Sequence, residues 1–191
     1  MPALTSRVVP AGTMHLQSQP SLYVDELTLR PWQPSDVPAV VEAYRDPAIQ
    51  QWHARTMTED EAARWVQVRA EWWAAETGAE WAVVRDGVLL GRMGLRTVDL
   101  AGGLAHAAYW VVPAARGRNV ATRALRLMTE WGFTQLGLNR IELEHATANA
   151  ASCAVAGKAG YRPEGTKRQQ ALHPDGWHDM HLHARLRNDR P

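Results

Sequence analysis

The chain has 191 residues, 46% of them hydrophobic, and a formal net charge of +1. Such a length is most simply one domain with a buried core, and so even a charge balance excludes bulk attraction to nucleic acid or to a membrane surface. A single cysteine, Cys153, excludes an intramolecular disulfide framework and fits a reducing cytoplasm, and no apolar run is long enough to span a bilayer.

Residues 1–20 are rich in Pro, Ser, Gln and Thr and lack the charged start and apolar centre of a signal peptide. They are expected to form a flexible leader ahead of a single domain over 21–191. Leu27 to Pro31 reads as a first strand, and Ser35-Asp36 caps a helix running to about Arg45, which Asp46-Pro47 breaks. Thr58 followed by Glu61 is a capping-box pattern, opening a helix to about Glu76 that ends at Gly78. Trp81 to Val84 reads as a strand, with Asp86-Gly87 as the hairpin turn into Val88 to Val98. Gly102-Gly103 turns the chain into a strand from Ala105 to Val112. A helix to about Leu136 follows, its buried face marked by Val120, Ala124, Leu127, Met128 and Trp131. Then come a strand from Arg140 to Thr147, a short helix from Ala150 to Ala159, and two strands near Arg162 to Gln170 and Trp177 to Leu186. Nine tryptophans are many for this length. Trp65 and Trp72 share one face of their helix, as core packing or else as an acceptor wall or dimer surface.

Between the strand ending at Val112 and the helix opening at Val120 lies Pro113-Ala114-Ala115-Arg116-Gly117-Arg118-Asn119. Unpaired amides and the positive end of a helix dipole attract phosphate there, and Arg116 and Arg118 add charge. This stretch resembles the first motif of the GNAT acetyltransferases, Arg/Gln-x-x-Gly-x-Gly/Ala, with Arg116, Asn119 and Ala121 at the marked positions. Asn119 replaces the usual glycine, and Asn tolerates a left-handed backbone better than most residues. A second segment matches the same family: Asn149, Ser152 three residues on, then Lys158-Ala159-Gly160-Tyr161. The strand Leu27-Thr28-Leu29-Arg30-Pro31-Trp32 and Ser152 resemble the branch that acetylates the N-termini of ribosomal proteins.

The resemblance implies an α/β (α+β) GNAT fold: one mixed, mostly antiparallel twisted sheet of about seven strands, flanked by about four helices. It implies acetyl-CoA as cosubstrate and direct acetyl transfer to a primary amine, on a protein N-terminus or a small molecule. Val111 and Val112 would contact the pantetheine arm through their backbones. Arg116, Gly117, Arg118, Asn119, Val120, Ala121 and Thr122 would cradle the pyrophosphate, with Asn149 and Lys158 as further cofactor contacts. Asn149 reads equally as a helix N-cap. The tyrosine that many members carry seven residues after the Asn is Ala156 here, so no phenol is expected from that position. Ser152 would protonate the departing thiolate, or else cap its own helix. His106 is the candidate general base, with Glu142, Glu144 and Asp179 as rivals, and alternation does not say which strand face meets the acceptor. His181 and His183 share a strand face with His173 and His178 nearby. No cysteine lies close to them in the chain, so no metal is expected. Cys153 reads as a small buried residue rather than a nucleophile. A non-catalytic acyl-CoA-binding module on the same fold is the alternative, and a homodimer is open.

Overall fold

Local chemistry sets the element boundaries. Thr58 Oγ1 accepts from the Glu61 N–H at 3.3 Å and the Glu61 carboxylate accepts from the Thr58 N–H at 2.7 Å, closing the expected capping box. The helix it opens, α3, spans Glu59–Ala74. The segment read as a break behaves differently. Asp46 caps a further helix, its Oδ1 accepting from the Ile49 N–H at 3.0 Å, and Pro47 sits at the first helical position. Proline is well suited there because its missing N–H would have no helical partner anyway. Asp46-Pro47 therefore ends one helix, α1 (Val37–Ala43), and starts another, α2 (Pro47–His53).

This computed structural model describes residues 4–189. One eight-stranded sheet runs through them in the order β1-β2-β3-β4-β5-β6-β8-β7. The strands are β1 (Leu22–Val24), β2 (Leu27–Pro31), β3 (Ala79–Arg85), β4 (Val88–Asp99), β5 (Leu104–Val111), β6 (Arg140–Ala146), β7 (Arg162–His173) and β8 (Gly176–Leu186). The strand beyond the seven expected is β1, which hairpins onto β2 through Asp25, at φ +49°. All pairings are antiparallel except β5 with β6. Those two are joined by the crossover through α4 (Val120–Trp131) and the π-helical turn Gly132–Leu136. The fifth helix, α5 (Ala150–Lys158), follows β6.

The core has two parts. On one sheet face α4 buries Leu125 and Met128 against Trp81, Leu95 and Ile141. On the other, α1, α2 and α3 bury Val40, Ile49, Trp65 and Val66 against Trp110. Most tryptophans thus serve packing, while Trp177, 61% exposed, does not. The expected leader is anchored rather than loose. Met14 and Val9 are buried in the first cluster, the Glu76 carboxylate accepts from the Gly12 and Met14 N–H groups at 2.8 and 2.7 Å, and Trp73 Nε1 donates to Gln17 O at 2.8 Å. Val9 and Met14 find core positions while Leu4, Val8 and Leu16 stay exposed, a distinction that composition averages over.

The feature that positions the site is a split between β5 and β6. They pair only over Leu104–Ala107 with Arg140–Leu143. Beyond that, β5 stays with β4 as far as Gly91↔Val111, and β6 stays with β8 as far as Ala146↔Met180. Each half of the sheet holds its own strand, so Ala108–Val111 and Glu144–Ala146 diverge.

Candidate active site

A cavity of about 910 Å³ occupies the split, walled by the divergent strands, the start of α4, α5, α2 and the β7–β8 hairpin. Asn119 takes a left-handed conformation at φ +57° and its side chain makes no cap bond. Gly117 beside it is at φ +74°, in open space. The first bond of α4 runs from the Arg123 N–H to Asn119 O at 3.0 Å. The amides of Val120, Ala121 and Thr122 are therefore ahead of the helical ladder and border the cavity with Gly117 and Asn119, as an anion site requires.

The two arginines of the loop do not gather there as expected. Arg116 lines the cavity, but its guanidinium is held by Asp46 Oδ1 at 2.5 Å and by Val111 O at 3.1 Å. Arg118 is exposed and is not part of the wall. The loop's attraction for phosphate thus rests on backbone amides more than on side-chain charge. Val111 borders the cavity, whereas Val112 donates its N–H to Leu90 O at 2.9 Å and packs toward the α1–α3 cluster. Lys158 lies on the wall at the end of α5.

On α5, Asn149 is the N-cap, its Oδ1 accepting from the Ser152 N–H at 3.0 Å. Its carboxamide NH₂ is left as the group for a ligand, since Asn149 also borders the cavity. Ser152 does not cap the helix with its hydroxyl. Instead its Oγ accepts from the Tyr109 hydroxyl at 3.0 Å. A phenol is therefore present after all, reaching α5 from β5 rather than from the position of Ala156. Burial pushes the Tyr109 hydroxyl up to about 12, so it stays protonated and donating. The Ser152 proton is then free to point elsewhere.

The opposite wall carries the acceptor-side candidates. His106 lies on the face of β5 that also bears Trp110, its Nδ1 3.7 Å from Glu142 Oε2. Glu142 is already engaged by Arg140 Nε at 2.7 Å, and Glu144, on the wall, is paired with Lys167. Asp179 accepts from the Gln169 N–H at 2.8 Å and is not part of the wall. From α2, Trp52 packs on His173 and His178, with ring centroids 5.5 and 5.9 Å apart, closing the mouth.

Residues 26–162 match the family model described as the acetyltransferase (GNAT) domain. The chain belongs to the GNAT acetyltransferase family. It is an acetyl-CoA-dependent N-acetyltransferase. Among curated GNAT relatives, it is 26% identical over 153 residues to YdaF of Bacillus subtilis (strain 168), provisionally named a ribosomal N-acetyltransferase, covering 80% of this chain and 74% of that one. It is similar in fold to a RimL described as a ribosomal L7/L12 alpha-N-protein acetyltransferase in complex with coenzyme A: TM-score 0.82, 19% identity, 87% of this chain and 98% of that one. A Mycobacterium smegmatis RimJ in complex with a CoA-disulfide gives TM-score 0.77 and 24% identity over 87% of this chain and 86% of that one. No helix among the described residues is long and apolar enough to cross a membrane.

Two further features of this GNAT site, His53 and a side-chain cluster, were not legible in the sequence. His53, on α2, borders the cavity, and burial pushes its imidazole down to about 3, with repulsion from Arg92 and Arg96 in support. Between that value and the ordinary value of 6.5 the unfolded chain binds more proton than the folded one. Stability should therefore fall as pH drops through this window. His53→Gln should flatten the decline in Tm between about pH 6.5 and pH 4.5; an unchanged profile would assign the titration to other groups. The second group is a convergence of His145, Cys153, His181 and His183. Sequence distance hid it, because the cysteine comes from α5 and the histidines from two strands.

Proposed function

We propose that this GNAT enzyme acetylates the amino terminus of a protein, with the two walls of the split dividing the work. The observation that carries the reading is the split itself, which opens unpaired strand beside the free amides of α4. When bound, acetyl-CoA supplies an activated acetyl group and a sulfur leaving group. The Val111 backbone, the amides from Gly117 to Thr122, the Asn149 NH₂ and Lys158 hold it, and Ser152, backed by Tyr109, gives a proton toward the sulfur. His106 takes the proton of the incoming ammonium, with its imidazole oriented by Glu142. The cavity of about 910 Å³ leaves room for a chain end, and the named relatives that act on ribosomal proteins support a peptide acceptor.

The test is mass spectrometry of peptides bearing ribosomal-protein N-termini, incubated with enzyme and acetyl-CoA, beside the same peptides with blocked N-termini and a panel of small amines. Acetylation confined to free peptide N-termini is expected. Product only on small amines would overturn the peptide acceptor.

The phosphate cradle makes a separate prediction. Asn119→Asp keeps a residue that tolerates the left-handed backbone but places an anion beside the pyrophosphate. Calorimetric titration should show acetyl-CoA affinity about tenfold weaker, near 1.4 kcal/mol. Unchanged affinity would remove this loop from the cofactor site.

A further inference from the structure

His145 on β6 is the direct cross-strand partner of His181 on β8, and His183 lies two residues further along the same strand face. Helix α5 packs over that face and brings Cys153 to the group, so that one ligand atom from each of the four residues lies within 4.8 Å of all the others. His145 and His183 are buried, each 4% exposed. Their Nε2 atoms face one another at 3.2 Å.

The ring tautomers make that contact chemically pointed. A carbonyl oxygen only accepts, so His145 Nδ1, 2.8 Å from Ala146 O, carries the proton of a neutral ring. His183 Nδ1 faces Tyr161 O at 3.4 Å in the same sense. Both Nε2 atoms are then bare acceptors, turned toward each other in a buried place. A cation between two lone pairs so arranged would satisfy both. Zinc–nitrogen bonds of about 2.0–2.1 Å put two nitrogens on one tetrahedral ion about 3.3–3.4 Å apart, close to the spacing present here. Backbone carbonyls on the remote ring nitrogens are also what orients histidine ligands around a metal.

We propose that His145, Cys153, His181 and His183 bind one zinc ion in a closed, tetrahedral N₃S site. Three imidazoles and a thiolate form a borderline-soft donor set that suits zinc over magnesium or calcium. With all four positions filled by protein, the ion has no open position for substrate, so its role is to hold structure. It ties α5 to β6 and β8. Ser152 is the residue before Cys153, so the ion fixes the turn of α5 that faces Tyr109. Binding displaces the thiol proton to solvent, and no electron is transferred.

The experiment uses the full chain, carried without a polyhistidine tag, stripped with chelator and titrated with Co²⁺ as a spectroscopic stand-in, then with Zn²⁺. One equivalent of cobalt should give intense visible bands of tetrahedral coordination and a sulfur-to-metal charge-transfer band in the near ultraviolet, both abolished by one equivalent of zinc. Zinc at a hundredfold excess over its Kd should raise Tm by at least about 5 °C. Cys153→Ser should lose the charge-transfer band. His181→Ala, at the less buried histidine, should weaken zinc binding at least about tenfold. Circular dichroism of each metal-free variant establishes that it is folded. Weak octahedral bands in the parent, no stoichiometric binding, or a cobalt spectrum unaltered in both variants would each overturn the site. These readouts do not involve acetyl transfer, so they stand or fall apart from the acceptor.

Discussion

Glu80→Ala should cost about 3–5 kcal/mol of folding stability, read from urea unfolding. Glu80 is 1% exposed. Its carboxylate takes a hydrogen bond from Arg92 Nε at 2.8 Å and a second from the Arg92 NH₂ group, lies 2.9 Å from Arg69 Nε and has Arg96 at 3.9 Å. Arg69 in turn sits over the rings of Trp65 and Trp72, at 3.9 and 4.2 Å. Desolvation already lowers the Arg69 guanidinium to about 10, even with the carboxylate present. Without it, two buried cations face each other with nothing between them, so the loss reflects stranded charge rather than a missing contact. The site is also shaped for this one side chain, since a Cβ on Gly94 would meet Glu80 Cγ at 2.4 Å. Glu80→Gln keeps the volume and some hydrogen bonds and should cost less than alanine. A loss below about 1 kcal/mol for Glu80→Ala would mean that water or the arginines' own movement neutralises the pocket.

Ser152→Ala should lower kcat about 100-fold, equivalent to about 2.7 kcal/mol of transition-state stabilisation, with acetyl-CoA affinity within about twofold. This substitution removes from the α5 wall the proposed proton for the departing sulfur and the acceptor of the Tyr109 hydroxyl, while the Asn149 cap stays because it uses the Ser152 backbone N–H. Tyr109→Phe should have a smaller effect, about tenfold, since Ser152 keeps its own proton and loses only the donor behind it. The double variant should be no slower than Ser152→Ala, because the phenol acts through the serine. Steady-state thiol release measures all three. Unchanged turnover in Ser152→Ala would leave protonation to solvent. Additive losses would give Tyr109 a contact of its own with the substrate.

What sequence could and could not reveal follows the range of the interactions. The capping box at Thr58, the hairpin turn at Asp86-Gly87 and the period of α4 are local, and they were legible. So were the left-handed turn at Asn119 and the cap at Asn149, because both depend on backbone geometry near themselves. The break at Asp46-Pro47 is present, but the helix after it is not foreseen, because residues that stop one helix also make a good start for the next. The anchoring of Met14 and Gln17 depends on Glu76 and Trp73, far along the chain. Alternation puts Tyr109 on one face of β5 with Ala107 and Val111, but nothing local says that α5 brings Ser152 to its hydroxyl. The loss of Arg116 to Asp46 has the same origin, a partner seventy residues away.

The split between β5 and β6 also bears on where another chain could pair with this sheet. A strand with unused peptide groups is ordinarily a template for another chain, and outer strands are where such pairing begins. Here the edge of Ala108–Val111, where Val111 O already accepts from Arg116 Nε, lies inside the sheet, with β6 and α5 standing across the cavity. On the proposed reading a ligand arm pairs with this edge, and β6 and α5 stand between the edge and any neighbouring chain. The proposed ligand site and the shielding of a strand edge thus share one opening. Widening it, for instance by loosening α5, should expose the chain to self-association before it abolishes binding.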